Sequence, residues 1–287
     1  MNLFDQLVNE ALKSNAELSS LRMVVEKELL HHDILRTLSE SGLLEQLTFI
    51  GGTCLRTCYG AKRLSEDLDF TGGADFSRKN LSHMSQILVD TIKTKYDFKV
   101  NVTEPTREMG NVDTWKLQVI MNHRNKDLPM QRIHIDIFAI PSYQRILTLL
   151  INPYGVEMGT NGLIIQAQSL EEIFSDKLVA LALRKSIKYR DLWDIFWLQS
   201  QNIKPDLDLI PLKIKDHHRD PQEFLQLLEQ RSQLLKTKPE IMQEFRKEMA
   251  RFISGSTNKA TLENDVFWIT LVNLVNLYCE KIKAIIY

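Results

Sequence analysis

Two aspartates stand one residue apart in the segment Asp67-Leu68-Asp69-Phe70. Alternate side chains of a β-strand point to the same face, so a strand here places both carboxylates on one face and the two apolar side chains on the other. Neighbouring carboxylates repel each other unless a cation lies between them, and hard oxygen ligands select Mg²⁺ or Mn²⁺. The pair therefore predicts a site for a divalent metal ion.

A glycine turn lies upstream of the two aspartates. Gly51 and Gly52 follow a short apolar run at residues 47–50 and precede a segment compatible with a helix from Thr53. Glycine lets the backbone approach a ligand closely, and the N-terminus of a helix offers free N–H groups and a positive dipole end. A phosphate cradle facing a carboxylate pair outlines metal-assisted phosphoryl or nucleotidyl transfer. Either motif alone is more often a plain turn or a solvated acidic pair.

The whole stretch at residues 49–70, with its strings GGTCLR, YG and RLSEDLDF, resembles the first motif of the AbiEii family of nucleotidyltransferase-like toxins. This family lies within the DNA polymerase β-like nucleotidyltransferase superfamily. The correspondence is dense over these residues and weaker over residues 20–200. It implies that Thr53 and the turn amides hold phosphate, and that Arg63 and Ser65 support the metal loop or contact phosphate.

A third carboxylate, Asp136, lies in the strand-like run Ile133-His134-Ile135-Asp136-Ile137-Phe138. Its isoleucine neighbours place it on the face opposite an apolar row. A charged side chain in such a strand needs a partner, and a metal ion is one; the alternative is an edge-strand aspartate facing water. The resemblance implies that Asp136 is the third catalytic acid of the superfamily, either as general base or as third metal ligand.

A second group of candidate residues lies in the helical second half of the chain. A capping box at residues 169–172 predicts the start of a helix, and Lys177 falls on the border of its apolar face. Asp191 and Asp194 share an apolar face of the next segment, which is costly unless they are paired. The three residues either form a buried salt-bridge network or, as the resemblance implies, a nucleotide-binding wall. In the second case Lys177 binds the triphosphate and Asp194 contacts the sugar, the base or the lysine.

Composition sets limits on the class of protein. The 287 residues are 44% apolar and 25% charged, which is ordinary for a globular protein, and the net charge of −1 gives no overall attraction to nucleic acid. An RNA contact therefore needs a local basic patch, for which the densest positive run, at residues 184–190, is a candidate unless it is simply solvated. We expect a cytoplasmic protein, since three cysteines suit a reducing compartment and no signal peptide or membrane span is recognisable.

The pattern of elements predicts an α+β fold, in which a nucleotidyltransferase-like lobe with a small mixed β-sheet flanked by helices is joined to a helical C-terminal lobe. Adjacent His31 and His32 point about 100° apart on a predicted helix, so surface or groove packing is expected for them rather than metal binding. Strands are expected at residues 98–102, 115–121, 133–140 and 163–166. The expected domains are N-terminal helices packing on the core (1–46), the nucleotidyltransferase-like core (47–142), and a mainly helical lobe completing the nucleotide cleft (143–287).

The resemblance implies a Mg²⁺-dependent nucleotidyltransferase that is the toxin of a bacterial toxin–antitoxin or phage-defence system. It would transfer a nucleotide from an NTP to an RNA acceptor such as a tRNA 3′ end, with an antitoxin encoded alongside. Nucleotidylation of a small molecule such as an aminoglycoside, or of a protein hydroxyl, is one alternative. A nucleotide-binding protein without turnover is another, although clustered carboxylates are costly to keep in a protein that does not use them.

Overall fold

The structure, a computed structural model, describes residues 2–106, 110–121 and 130–286. The chain divides after Gln168 into two units, each of which is described in turn. The first unit contains a seven-stranded sheet with the strand order β3-β4-β5-β2-β1-β7-β6. Its strands are β1 (Thr48–Ile50), β2 (Leu68–Thr71), β3 (Lys99–Thr103), β4 (Val112–Ile120), β5 (Gln131–Phe138), β6 (Arg145–Leu149) and β7 (Ile164–Gln168).

The sheet is mixed. Strand β2 runs parallel to β5 and β1 runs parallel to β7, whereas the β1–β2, β3–β4, β4–β5 and β6–β7 pairs are antiparallel. The two short strands β1 and β2 therefore lie at the centre of the sheet and join its two halves. This arrangement confirms the prediction of a mixed sheet flanked by helices.

Helices of the first unit cover one face of the sheet. They are α1 (Leu3–Ser14), α2 (Arg22–Glu40), α3 (Gly51–Tyr59) and α4 (Met84–Tyr96). Helix α2 packs on β5 and α4 packs on β3, while the apolar side chains of β4 and β5, such as Leu117, Ile133 and Ile135, are fully buried. Most of α2 is buried, including His31 and His32, so the expected surface or groove position of these histidines is wrong.

Strand β6 was not expected from the sequence. Its residues Arg-Ile-Leu-Thr-Leu lack the alternation of apolar and polar side chains that marks a half-buried strand. The strand lies at the edge of the sheet, and Ile146, Leu147 and Leu149 are exposed there. An edge strand whose side chains face solvent on both sides gives no periodic signal, and its pairing with β7 decides its conformation.

The second unit is helical. Its helices are α5 (Leu170–Leu183), α6 (Tyr189–Ser200), α7 (Leu209–Asp216), α8 (Pro221–Thr237), α9 (Pro239–Met249), α10 (Gly255–Ala260) and α11 (Asp265–Ile286). Helix α5 packs on α6, α7 and α8. The predicted helix start at Ser169 is confirmed, because Ser169 is the N-cap and its Oγ accepts a hydrogen bond of 3.1 Å from the amide of Glu172. Within the described residues, no helix combines the length and the apolar character needed to cross a membrane.

Candidate active site

The glycine turn forms the first residues of α3, directly after β1. Gly51 has a φ of +76°, and a Cβ atom built on it would lie 2.6 Å from Oδ2 of Asp69. A Cβ atom on Gly52 would lie 2.2 Å from a guanidinium nitrogen of Arg63. Gly51 is therefore required by its backbone conformation and by close packing, a side chain at position 52 would displace the Arg63 guanidinium, and the N-terminus of α3 lies against the Asp69 carboxylate.

The loop that leads into β2 is held from inside the protein. The Thr53 hydroxyl, which is fully buried, donates to the carbonyl oxygen of Asp67 and lies 2.7 Å from Ser65 Oγ. Arg63 is also buried, and its Nη1 donates a 3.0 Å hydrogen bond to the carbonyl oxygen of Leu64. The structure thus places Thr53, Arg63 and Ser65 where they support the backbone on which Asp67 stands.

Sequence reasoning missed Glu28, a fully buried acid on α2 that also holds this loop. Its Oε1 accepts a 2.7 Å hydrogen bond from the Ser65 amide, and its Oε2 accepts from Arg56 Nε at 3.1 Å and from the Tyr154 hydroxyl. Although burial lowers the pKa of Arg56, the charge of Glu28 raises it above its usual value. The available sequence signal was an acid next to Val25 and Leu29 on an otherwise apolar stripe of α2.

Two further α2 residues contact the residue that precedes Asp67. His31 Nε2 lies 3.0 Å from the carbonyl oxygen of Glu66, and Lys27 Nζ lies 3.2 Å from its carboxylate. Burial lowers the pKa of His31 to about 3, so its ring is neutral in the folded protein at physiological pH. One face of α2 therefore holds the loop that carries Asp67.

The three predicted acids come together at the junction of β2 and β5. Asp69 pairs with Asp136 in the parallel register of these strands, so their side chains lie on one face. The carboxylate of Asp67 accepts a 3.2 Å hydrogen bond from the amide of His134, two residues before Asp136. Thr114 Oγ1, on β4, donates a 2.6 Å hydrogen bond to Asp136 Oδ1.

Burial raises the pKa of Asp136, and the negative charge of Asp67 adds to this effect, while the hydrogen bond from Thr114 opposes it. Among the residues that the structure describes, no three His, Cys, Asp or Glu side chains are arranged so that they could hold a metal ion. The donor chemistry nevertheless fits Mg²⁺ or Mn²⁺, because all three groups offer hard carboxylate oxygens and the repulsion between Asp67 and Asp136 is what a cation relieves.

In the second unit, Lys177 joins helices α5 and α6. Its Nζ lies 2.7 Å from Asp191 Oδ1 and 2.9 Å from Asp194 Oδ2, and all three residues are buried. Arg184 Nη1 adds a 2.9 Å contact to Asp191 Oδ2. The geometry is that of a buried salt-bridge network, which is compatible with a further role in binding nucleotide.

The basic run at residues 184–190 is partly engaged within the second unit. Besides the contact of Arg184 with Asp191, the Arg190 guanidinium carbon lies 4.9 Å from the ring centroid of Phe252, and its Nε lies 3.9 Å from Glu248. Arg184 and Arg190 therefore take part in contacts between the helices of the second unit.

Comparisons with known proteins identify the family of the chain and its fold. The family model described as nucleotidyl transferase AbiEii toxin, type IV TA system, matches residues 33–269. MenT4, a nucleotidyltransferase toxin from Mycobacterium tuberculosis, is 16% identical with a TM-score of 0.54, and the match covers 100% of this chain and 99% of that one. JHP933 from Helicobacter pylori is 17% identical with a TM-score of 0.50, over 91% of this chain and 94% of the other.

At these identities the two solved structures show a shared fold. Comparison of the sequence with curated proteins gives no match. The family model, in contrast, covers most of the chain, including the glycine turn, the three acids and the Lys177 cluster. The predicted resemblance is therefore confirmed, and the chain belongs to the AbiEii family of nucleotidyltransferase toxins of type IV toxin–antitoxin systems.

Proposed function

We propose that this toxin transfers a nucleotide from an NTP to a hydroxyl group of an RNA, such as the 3′ end of a tRNA, in the cytoplasm. The proposal includes Mg²⁺ or Mn²⁺ held by Asp67, Asp69 and Asp136. The observation that carries it is the pairing of Asp69 with Asp136 beside the turn at Gly51, which brings a phosphate-binding helix end and three carboxylates to one place.

In the proposed reaction, the acceptor hydroxyl oxygen attacks the α-phosphorus of the NTP, the bond to the pyrophosphate oxygen breaks, and pyrophosphate leaves. The amides after Gly51 bind the phosphates at the N-terminus of α3. Asp136, which accepts a hydrogen bond from Thr114, is proposed either as the base that accepts the proton of the hydroxyl or as the third metal ligand, in which case the proton leaves to water. A divalent cation, when bound, supplies neutralisation of charge on the phosphate oxygens.

Lys177 is proposed as a ligand of the triphosphate, with Asp191 and Asp194 holding its ammonium group in place. A lysine that is only 8% exposed yet paired with two carboxylates has a fixed geometry, which is what a phosphate ligand requires. The family implies a cognate antitoxin, whose mode of action is a separate question from the chemistry.

The test incubates the pure protein and Asp69→Asn with Mg²⁺, each α-labelled NTP in turn, and total bacterial RNA, followed by a denaturing gel. We expect a labelled RNA band that is lost in Asp69→Asn and retained in Asp90→Asn, a matched change of an exposed carboxylate on α4. If the label appears on protein or on an added aminoglycoside instead, the acceptor is that molecule and not RNA. An absence of transfer to every acceptor would count against the proposed reaction.

A further inference from the structure

One face of the sheet carries basic and amide side chains that continue from the catalytic acids. Along β5, Arg132, His134 and Asp136 alternate with three buried isoleucines, so these polar residues share the face opposite the helices. Arg132 is exposed, and its Cα lies four residues, or about 13 Å, from that of Asp136 along the strand.

The neighbouring strands extend this face. Lys116 on β4 pairs with His134, and Gln118 pairs with Arg132. On β3, Asn101 pairs with Gln118. Lys99 lies on the same side of β3 as Asn101 and is exposed, as are Asn101 and Lys116. We call this surface the basic sheet face, and it comprises Lys99, Asn101, Lys116, Gln118, Arg132 and His134.

In the part of the chain that the structure describes, the three lysine and arginine side chains of this face are not held in ion pairs, whereas His134 Nδ1 lies 3.6 Å from the Asp67 carboxylate. Within residues 2–106, 110–121 and 130–286, Lys99, Lys116 and Arg132 form no ion pair, in contrast to the buried Lys177 and Lys213 of the second unit. The charge of Lys116 reaches the active site, because it acts to lower the pKa of Asp136 against the larger effect of burial. In a protein with a net charge of −1, three unpaired cations beside the catalytic acids form a local attraction for a polyanion.

The strand order separates this face from the glycine turn. Strands β3 and β4 lie on one side of the Asp69–Asp136 pair, which stands on β2 and β5, and β1, which leads into Gly51, lies on the other side. An NTP bound at the turn, as proposed above, therefore lies across the acids from Lys116 on β4, while Arg132 lies further along β5 from Asp136. An in-line transfer needs the attacking and leaving groups on opposite sides of the phosphorus, which this order supplies.

We propose that the basic sheet face binds the sugar–phosphate backbone of the single-stranded 3′ end of the acceptor RNA and leads its terminal hydroxyl to Asp136. This inference rests on the proposed function, which it deepens by assigning the acceptor surface. Lys99, Lys116 and Arg132 contact phosphates, and the amides of Asn101 and Gln118 bind phosphate or 2′-hydroxyl oxygens. None of the six residues that define the face is a phenylalanine, tyrosine or tryptophan, so binding through it depends on the sugar–phosphate backbone more than on stacked bases.

The test compares Lys116→Gln/Arg132→Gln with a matched control, Lys13→Gln/Lys93→Gln, which removes two exposed cations from α1 and α4. A short single-stranded RNA of mixed sequence, labelled at its 5′ end, is titrated with each protein, and its fluorescence anisotropy is followed between 50 and 200 mM salt. Each lost phosphate contact lowers the slope of log K against log salt by about 0.7, so the face variant should lose about 1.4. The control should keep the wild-type slope.

Binding is measured without NTP, so it does not depend on turnover. If the face variant keeps the wild-type salt slope, the inference is overturned even if RNA labelling is lost. A raised KM for NTP with unchanged RNA binding overturns it as well, because the cations would then bind the triphosphate. If the slope falls as expected but wild-type protein labels no RNA, the face is an RNA surface and the proposed reaction is what fails. Equal thermal unfolding midpoints exclude misfolding of the variant.

Discussion

Gly51 adopts a left-handed backbone conformation and lies against the carboxylate of Asp69. These two features can be separated, because Gly155 also has a positive φ, of +68°, but a Cβ atom there meets nothing within 4 Å. An alanine at either position strains the backbone, whereas only Gly51→Ala displaces Asp69, one of the proposed catalytic acids.

We therefore expect Gly51→Ala to lower the transfer rate by about 100-fold, since a displacement on the order of 1 Å has that effect on a positioned group. Gly155→Ala should lose a similar amount of stability and keep its activity. Single-turnover transfer and urea unfolding of both variants measure the two effects. Equal activity in the two variants would mean that the contact with Asp69 is unimportant.

Glu28 is a positioning residue, since it reaches the acids only through the loop before β2. Glu28→Gln keeps the shape of the side chain but leaves Arg56 as an uncompensated buried cation. We expect a loss of about 3–5 kcal/mol in the free energy of unfolding and a lower kcat with an unchanged KM for NTP. Glu45→Gln, at an exposed position, is the control and should change neither quantity. If the free energy of unfolding falls but kcat does not change, Glu28 has only a structural role.

At the scale of single residues, much of the site follows from local patterns. The glycine turn and Asp67–Asp69 spacing identify a carboxylate face, because strand alternation is a local property. Asp136 could be singled out by its isoleucine neighbours, but its register with Asp69 depends on a parallel pairing between distant strands. Glu28 could not be assigned a role, because its partners Ser65 and Tyr154 are brought to it by the fold.

At the scale of elements, helices α5 and α6 are joined by Lys177, while α5 and α7 are joined by a second buried lysine. Lys213 Nζ lies 2.7 Å from Glu172 and 2.6 Å from Asp176. The two lysines have similar burial and similar partners, so they form a natural comparison.

Removal of either charge takes away a buried cation that two carboxylates share, and we expect both Lys177→Gln and Lys213→Gln to lose about 3–5 kcal/mol of stability. Only Lys177→Gln should also raise the KM for NTP, because that lysine is the proposed phosphate ligand. Urea unfolding together with steady-state kinetics at several NTP concentrations distinguishes the two roles. If the kinetic constants of both variants change alike, the Lys177 cluster is structural.

Elements whose side chains alternate regularly could be predicted, including β3, β4, β5 and β7, to within a few residues at their ends. Strand β6 could not, since both of its faces are exposed. The positions of the α2 histidines could not be predicted either, because polar side chains in a helix usually lie at the surface. They are buried instead, where His31 contacts the carbonyl of Glu66 and His32 Nδ1 lies 3.1 Å from Thr160 Oγ1.

At the scale of the whole molecule, these histidines couple stability to pH. Burial lowers the pKa of His31 to about 3 and that of His32 to about 4, from an ordinary value of 6.5. The unfolded chain therefore takes up protons before the folded protein does. Their contribution to stability is complete above pH 6.5 and is lost as the pH falls toward these lower values.

We expect the free energy of unfolding to decline by about 1.4 kcal/mol per pH unit for each histidine in this window. His32→Asn, which retains a polar atom near the Nδ1 position, should remove one such contribution, while His83→Gln, at an exposed position, should not. Urea unfolding at a series of pH values gives the slopes. Parallel curves for the wild type and His32→Asn would contradict this coupling.

The overall charge of −1 concealed the basic sheet face, because composition sums charges that the fold separates onto different surfaces. Similarly, the sequence predicted a mixed sheet and a helical second half, but not the strand order that places the acids between β5 and β2. That order depends on long-range pairing, which local patterns do not encode.

The two edges of the sheet differ in a way that affects handling of the protein. Strand β3 ends the sheet with an exposed lysine, whereas β6 ends it with Leu147 and Leu149, which are 76% and 56% exposed. Charged side chains discourage the pairing of one sheet edge with another, and exposed apolar side chains permit it. Self-association in concentrated solution should therefore begin at β6 and leave the β3 edge of the sheet open.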